Sequence, residues 1–309
     1  MAGVSWSPSA SHGSNLTTTL HIAQQAPPIL NRQSLGKTAI RSSILSHEGP
    51  DTFDVLEKLF LSCMQSADDK SALLCLERLT QRFGVSNERI MALRGMYEEA
   101  VSDNSAGLER CLDKYDAILS ENPVNLPILK RRIALLRSLS KPTDAISSLV
   151  QLLDASPTDA EAWCELADLY QSQGMSPQAI FSLEEALLIV PHAWNVHARL
   201  GEVLYIYACS LESDAMQRPL ERSIHYFCRS VELCDDYLRG FYGLAMATSL
   251  SLDNVTPEVS QETIRRLREL ARRRLRDIIT KQYSLDPHFR GYGEDELSAV
   301  KEFLGSSTD

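Results

Sequence analysis

The stretch "AWCELADLYQSQGMSPQAIFSLEEALLIVP", Ala162 to Pro191, sets large apolar residues, small apolar residues and acids at steps of three and four. Steps of that size place residues on one face of a helix. The pattern also reaches beyond the stretch. Ala145 and Ala179 stand 34 residues apart, as do Leu149 and Leu183, Leu152 and Ala186, and Pro157 and Pro191. Four registers that agree on one number identify an internal repeat, and a period of this size is that of stacked supersecondary units.

The period and the pattern resemble the tetratricopeptide repeat, a pair of antiparallel helices. Counted from Ala160, the residues Trp163, Leu166, Ala167, Tyr170, Ala179, Leu183, Ala186 and Pro191 fall on its eight signature places. The physics of each place fits. Trp163, Leu166 and Tyr170 share a face and pack on the second helix through Leu183. Ala167 and Ala179 are small where the two helices approach most closely, and Ala186 leaves room for the next repeat. Pro191 ends the second helix because it lacks the backbone N–H the helix needs. "TDAE", Thr158 to Glu161, offers a capping box, and "SP", Ser176 and Pro177, offers an N-cap followed by proline in the first turn.

Weaker copies flank this repeat. Leu56, Leu59, Phe60, Ala72, Leu76 and Leu79 fit a first repeat from about Phe53; Gly95, Cys111, Tyr115, Ile118 and Pro123 fit a second, with a short insertion around "SDNSAG". The third runs from Leu126 to Asp159. A fifth starts at Trp194 and resumes at Ser223, Phe227 and Ser230 after extra residues that include "SLESDAMQRP". A sixth starts near Leu238 and has a long second helix, followed by a short one in "EDELSAVKEFL". The expected fold is all-α, a tetratricopeptide-repeat superhelical solenoid of about six helix pairs plus C-terminal helices. Three regions follow: a flexible serine-rich tail over 1–50, the repeats over 51–286, and a short helix and tail over 287–309.

Composition excludes several function classes. The formal net charge of -10 opposes a phosphate backbone over most of the surface, so nucleic acid is not expected as a partner. The seven cysteines, odd in number and scattered through apolar helical patterns, read as reduced thiols of the cytosol. No apolar run reaches the roughly 20 residues that cross a bilayer. The first 47 residues hold Arg32, Lys37 and Arg41, many serines and no acid. That composition also occurs in transit peptides, but the apolar residues form no sustained amphipathic helix, and the reading is a tail in which "LHIAQQAPPIL" orders on a partner.

Catalysis finds no constellation. His225, Cys228 and Cys234 form the one His/Cys group, and they lack the four-ligand spacing of a zinc site. His192 and His197 flank a repeat junction, and "GYG" at Gly291 to Gly293 is a helix breaker rather than a phosphate loop. Glu184 and Glu185 are neighbours on a solvated helix face. Neither a cofactor nor a metal is expected, and the chain is read as a non-enzyme.

Two surfaces stand out instead. Glu161, Glu165 and Asp168 point from the first helix of the fourth repeat toward the concave groove, and Glu202 continues the acidic character in the fifth; with Lys130 of the third repeat they make up the candidate partner groove. The acids call for a partner segment that carries Lys or Arg. In "IRRLRELARRRLRDII", Ile264, Leu267, Ala271, Leu275 and Ile278 form an apolar stripe, and Arg265, Arg268, Arg272, Arg273 and Arg276 crowd the other faces with Arg266 and Arg274. The stripe packs on the sixth repeat, while the arginines face an acidic partner or anionic lipid.

The ordered set "ALLCLERLTQRF", "YDAILSENP", "EAWCELADLYQSQGMSPQAIFSLEEALLIVPH", "SIHYFCRSVEL" and "GFYGLAMATS" resembles the family of subunit 2 of the endoplasmic reticulum membrane protein complex, over roughly Phe53 to Leu304. That resemblance implies a non-enzymatic scaffold, peripheral on the cytosolic face of the endoplasmic reticulum membrane. It would sit in a heteromeric insertase for membrane proteins, holding cytosolic parts of membrane-embedded subunits and a second soluble subunit. The first 50 residues and the insertion in the fifth repeat depart from the family pattern. The alternative is another tetratricopeptide-repeat adaptor, chaperone-type or a general assembly scaffold. The chaperone type resembles a Lys, Asn and Arg clamp, and its matching places here hold Cys164, Asp168, Lys130 and Ala134. An acidic tail would be repelled by the fourth repeat.

Overall fold

The computed structural model of the chain describes residues 16–27, 29–30, 50–253, 261–284 and 291–305. Its elements are helices: α1 (Leu16–Gln24), α2 (Pro50–Gln65), α3 (Asp69–Phe83), α4 (Glu88–Ala100), α5 (Ser105–Glu121), α6 (Leu126–Ser138), α7 (Pro142–Ala155), α8 (Ala160–Ser172), α9 (Ser176–Ile189), α10 (Trp194–Cys209), α11 (Ser213–Leu233), α12 (Leu238–Asp253), α13 (Gln261–Ser284) and α14 (Glu294–Gly305). From α2 to α13 they fall into consecutive pairs. The fold is the all-α, tetratricopeptide-repeat class that the 34-residue period predicts.

The period is visible in burial. Ala145, Ala179, Leu149, Leu183, Leu152 and Ala186, the three register pairs read from the sequence, are all at most 1% exposed. One chemical device starts five of the helices. Asp68, Asn87, Asn104, Asn125 and Asp159 each accept a hydrogen bond through the side chain from a backbone N–H of the first turn of α3, α4, α5, α6 and α8. Each such cap contributes about 1 kcal/mol. Two expected caps move. Asp159 rather than Thr158 caps α8, by accepting from the Ala162 N–H at 3.1 Å. Ser176 lies inside α9 and does not cap it: Met175 is the capping residue, and the buried Ser176 hydroxyl meets Gln171 Oε1 at 3.4 Å.

The chain divides into two compact units, through Ser148 and from Leu149, with the division inside α7. In the first unit, Phe60, Leu59, Cys63, Cys75, Leu79 and Leu93 of α2, α3 and α4 form a core. Phe53 and Phe83 meet edge to face at 5.1 Å, with Arg82 over the Phe53 ring. The segment "LHIAQQAPPIL" behaves differently from the expectation of a partner-ordered tail. Its Ala23, Ala26 and Leu30 are buried in this same core, and Arg78 donates to the Leu30 carbonyl. The rest of the 1–50 region lies outside the described residues, apart from α1 and the start of α2. Further along, α4, α5 and α6 close around Tyr115. Its hydroxyl donates to Glu99, which also accepts from Arg131, and Gly95 leaves room for the phenol ring.

In the second unit, Ala167, Ala179, Leu183 and Ala186 of the fourth repeat join Val196, Leu200 and Val203 of α10 in one core. A second core joins α10, α11, α12, α13 and α14 around Phe227. Hydroxyls of α11 fasten it to α10: Ser223 donates to the Gly201 carbonyl and Ser230 to the Trp194 carbonyl, each at 2.7 Å. The extra residues of the fifth repeat do not form a long loop. They lengthen the pair, so that Met216 and Leu220 at the start of the 21-residue α11 reach the core, with Pro219 inside the helix. The last helix is bound at both ends. Tyr292 donates to the Asp236 carbonyl and accepts from the Leu238 N–H, and Phe303 meets Tyr242 edge to face at 5.2 Å.

Candidate partner-binding surfaces

The eight signature residues serve the repeat as the sequence reading has them. Leu166, Ala167, Ala179, Leu183 and Ala186 are buried, Trp163 and Tyr170 are partly buried against them, and Pro191 follows the end of α9 in the turn before α10. The Trp163 Nε1–H donates to the Pro157 carbonyl at 2.9 Å, and its ring meets Phe181 edge-on at 6.2 Å. Trp163, Tyr170, Phe181 and Val150 line an apolar cleft of about 640 Å³.

The acidic residues read as groove-lining stand on α8 and α10. Glu161 and Asp168 are exposed and Glu165 is partly buried. Between them sits Cys164, whose thiol is pushed up to about 11 by burial and then by the charges of Asp168 and Glu161. What the sequence reading missed is Arg199. Its guanidinium donates to Asp168 at 2.9 Å and to Glu202 at 2.9 Å, so two of the four acids are joined by a cation of the next repeat. The signal was present, because Arg199 stands 34 residues after Glu165, and Glu202 stands 34 after Asp168. Lys130 is placed on α6, in the other unit, with an exposed side chain.

Arg199 and Asp168 belong to a series. Arg89 of α4 pairs with Glu57 of α2, and Arg131 of α6 with Glu99 of α4, again from the first helix of one pair to the first helix of the next. The spacing in sequence is 32, 32 and 31 residues. At these three steps a carboxylate on one first helix meets an arginine on the following one.

Beyond Glu202 the surface turns apolar. A cleft of about 380 Å³ is lined by Tyr205, Phe227, Tyr242, Met246 and Val300, with Glu202, Arg239 and Glu296 as its polar residues. Arg239 and Glu296 are themselves paired at 3.2 Å. The cleft accepts an apolar side chain in a rim that carries two carboxylates and one guanidinium.

The arginine-rich helix is α13. Ile264, Ala271, Leu275 and Ile278 are buried and Leu267 partly so, as the stripe predicts. Arg265, Arg273 and Arg276 are exposed, whereas Arg268 and Arg272 are partly buried. The Arg272 guanidinium lies 5.7 Å from the centre of the Phe303 ring of α14.

Among the described residues no three His, Cys, Asp or Glu side chains come together as metal ligands, and no helix is long and apolar enough to cross a membrane. His225, Cys228 and Cys234 therefore form no such group. The thiol of Cys228 is pushed up to about 11, first by burial. His197 is buried, stacked on Tyr226 at 5.9 Å, with Nε2 at 3.0 Å from the Pro191 carbonyl.

Known proteins share this organisation. The family described as the EMC2 TPR-like repeat domain matches residues 86–213. The TPR repeat protein oca3 of Schizosaccharomyces pombe is 34% identical over 217 residues, which cover 70% of this chain and 72% of that protein. ER membrane protein complex subunit 2-B of Xenopus laevis is 31% identical over 200 residues, 65% of this chain and 63% of that protein; the chain thus spans less than two thirds of the frog protein. ER membrane protein complex subunit 2 of Saccharomyces cerevisiae is 26% identical over 196 residues, 61% of this chain and 66% of that protein. Among solved structures, PilF of Pseudomonas aeruginosa superposes with a TM-score of 0.51 at 12% identity, covering 82% of this chain and 98% of that one, a likeness of fold alone. With the repeat register, the helix pairs and these relatives in agreement, the chain belongs to the tetratricopeptide-repeat family of ER membrane protein complex subunit 2.

Proposed function

We propose that the protein is a non-enzymatic scaffold subunit of the endoplasmic reticulum membrane protein complex, peripheral on the cytosolic face of that membrane. It holds cytosolic portions of membrane-embedded subunits and a second soluble subunit, and so supports insertion of membrane proteins. The relatives named as subunits of that complex support the assembly. The observation that carries the scaffold role is the continuity of the first-helix face in the second unit. Glu161 and Glu165 of α8 lead through the Asp168, Arg199 and Glu202 cluster to an apolar cleft at Tyr205, Tyr242 and Met246. A face of this composition fits a polypeptide segment with basic residues followed by a large apolar anchor. Its thiol, Cys164, is pushed up to about 11 by burial and by Asp168 and Glu161, which disfavours the thiolate and supports recognition rather than turnover.

The test is purification of tagged protein from membranes solubilised in mild detergent. The expected result is recovery in a large heteromeric assembly with integral membrane subunits. Recovery as an isolated chain, under conditions in which the membrane subunits of the complex stay assembled with one another, would overturn the reading.

A further inference from the structure

Helix α13 carries eight basic residues against three acidic ones, in a chain whose formal net charge is -10. Within it, Arg265, Arg268, Arg272 and Arg276 follow at steps of three, four and four. Such steps place the four on one row of the helix, about 16 Å long at the usual rise per residue. Elsewhere arginines meet carboxylates: Arg132 with Asp116, Arg199 with Asp168, Arg222 with Glu184, Arg229 with Glu232. Along this row none does among the described residues. Glu269 and Asp277 share the helix and form no ion pair with it. Of the acids on α14, Glu294, Asp295, Glu296 and Glu302, it is Glu296 that forms an ion pair, and it does so with Arg239.

Arg272 shows the consequence. Its Nε is buried without a hydrogen-bond partner, and its pKa is lowered, first by burial and then by the guanidinium charges of Arg268 and Arg276. Three cations that repel one another, one of them recessed beside Phe303, form a site that an anion would relieve.

We propose that this row binds an acidic segment of a partner polypeptide, whose Asp or Glu side chains meet Arg265, Arg268, Arg272 and Arg276. The surface lies on the second helix of its pair, apart from the first-helix face, so the proposal goes beyond the scaffold reading above. A chain-like ligand is favoured over a lipid surface by two observations. The apolar stripe of α13 is turned into the protein, which leaves Leu270 as the helix's exposed large apolar side chain among the described residues, too little to enter a bilayer interface. Arg272 is also partly covered by α14, where a narrow segment can reach it and a flat surface meets the outer arginines first.

The experiment uses the full chain and a labelled oligoglutamate peptide, with binding read by fluorescence anisotropy at low and at physiological salt. Flotation with phosphatidylcholine vesicles, with and without phosphatidylserine, runs in parallel. The peptide is expected to bind in a salt-sensitive manner, and Arg268→Glu with Arg276→Glu to weaken it by about tenfold or more. Arg94→Glu with Arg110→Glu, an equal change of net charge elsewhere, is expected to weaken it less than about twofold. Circular dichroism checks folding, and the exposed pair Arg265→Ala with Arg276→Ala replaces the reversal if that variant unfolds. Absence of peptide binding, equal losses in the two charge-reversed pairs, or binding through the row to phosphatidylserine vesicles alone would each overturn the proposal.

Discussion

Gly243 of α12 faces the ring of Phe227 of α11 so closely that a methyl group on it would stand 2.2 Å from the ring carbons. Gly201 of α10 meets the same ring at 3.1 Å. One fully buried phenylalanine thus touches three helices: at Gly243 a side chain would clash with the ring where it stands, and at Gly201 a methyl group would press it by a few tenths of an ångström. Gly243→Ala is expected to destabilise the protein by about 1–3 kcal/mol, the usual result of overpacking. Denaturant unfolding checks it, and a midpoint equal to that of the wild type would show that Phe227 can move aside.

Two of the ion pairs in the first unit, Glu99 with Arg131 and Glu57 with Arg89, should differ in worth. Glu99 and Arg131 have side chains 11% and 26% exposed, and Glu99 also accepts from Tyr115. Removing it in Glu99→Ala strands a largely buried guanidinium and a phenol, at a cost of about 3 kcal/mol. Glu57 pairs with an arginine whose side chain is 61% exposed, so Glu57→Ala should cost under about 1 kcal/mol. Urea unfolding of both variants separates them, and equal losses would contradict the difference in burial.

His197 supplies a pH dependence. A carbonyl oxygen can only accept, so Nε2 carries the proton given to Pro191, while Nδ1 is buried with no partner. The ring's pKa is lowered from 6.5, first by burial, with Arg229 and His192 adding to the effect against the Pro191 hydrogen bond. The folded state thus binds fewer protons than the unfolded one. The contribution is present above the unfolded value of 6.5 and is lost as pH falls from there through the lowered folded value. The stability advantage of wild type over His197→Gln should shrink as buffer is taken from neutral to mildly acidic. An advantage that does not vary with pH would show that the imidazole keeps its ordinary affinity for protons.

Asp168 is held by Arg199, so charge changes along α8 should separate binding from folding. Charge reversal of Glu161, exposed on α8, should change stability by less than about 0.5 kcal/mol. Reversal of Glu161 together with Glu165 should still reduce capture of a Lys-rich partner peptide on immobilised protein. Asp168→Lys should act differently, because it also sets Arg199 against a second cation. Undiminished capture by the first pair would remove α8 from the binding face.

Much of this was legible in the sequence, for a physical reason. A repeat imposes the same packing problem at the same interval, so Ala179, Leu183 and Ala186 betray themselves by recurrence, and the burial of Ala145, Leu149 and Leu152 follows. Caps are harder to place, since Thr158 and Asp159 offer the same chemistry one residue apart and the turn geometry selects Asp159. Arg199 was hidden because it occupies Glu165's place with the opposite charge; a rule that looks for likeness passes over complementarity. The path of "LHIAQQAPPIL" was hidden too, because a short apolar segment reads alike whether its acceptor is another protein or its own chain.

That segment bears on how the protein can be cut. Ala26 and Leu30 are buried in one core with Leu56, Phe60 and Leu79, and Arg78 anchors the backbone at Leu30. A shortened version beginning at Pro50 would take part of that core away, inviting one molecule to adhere to the next. Its stickiness in solution would then report a missing lid rather than any genuine liking of the protein for itself.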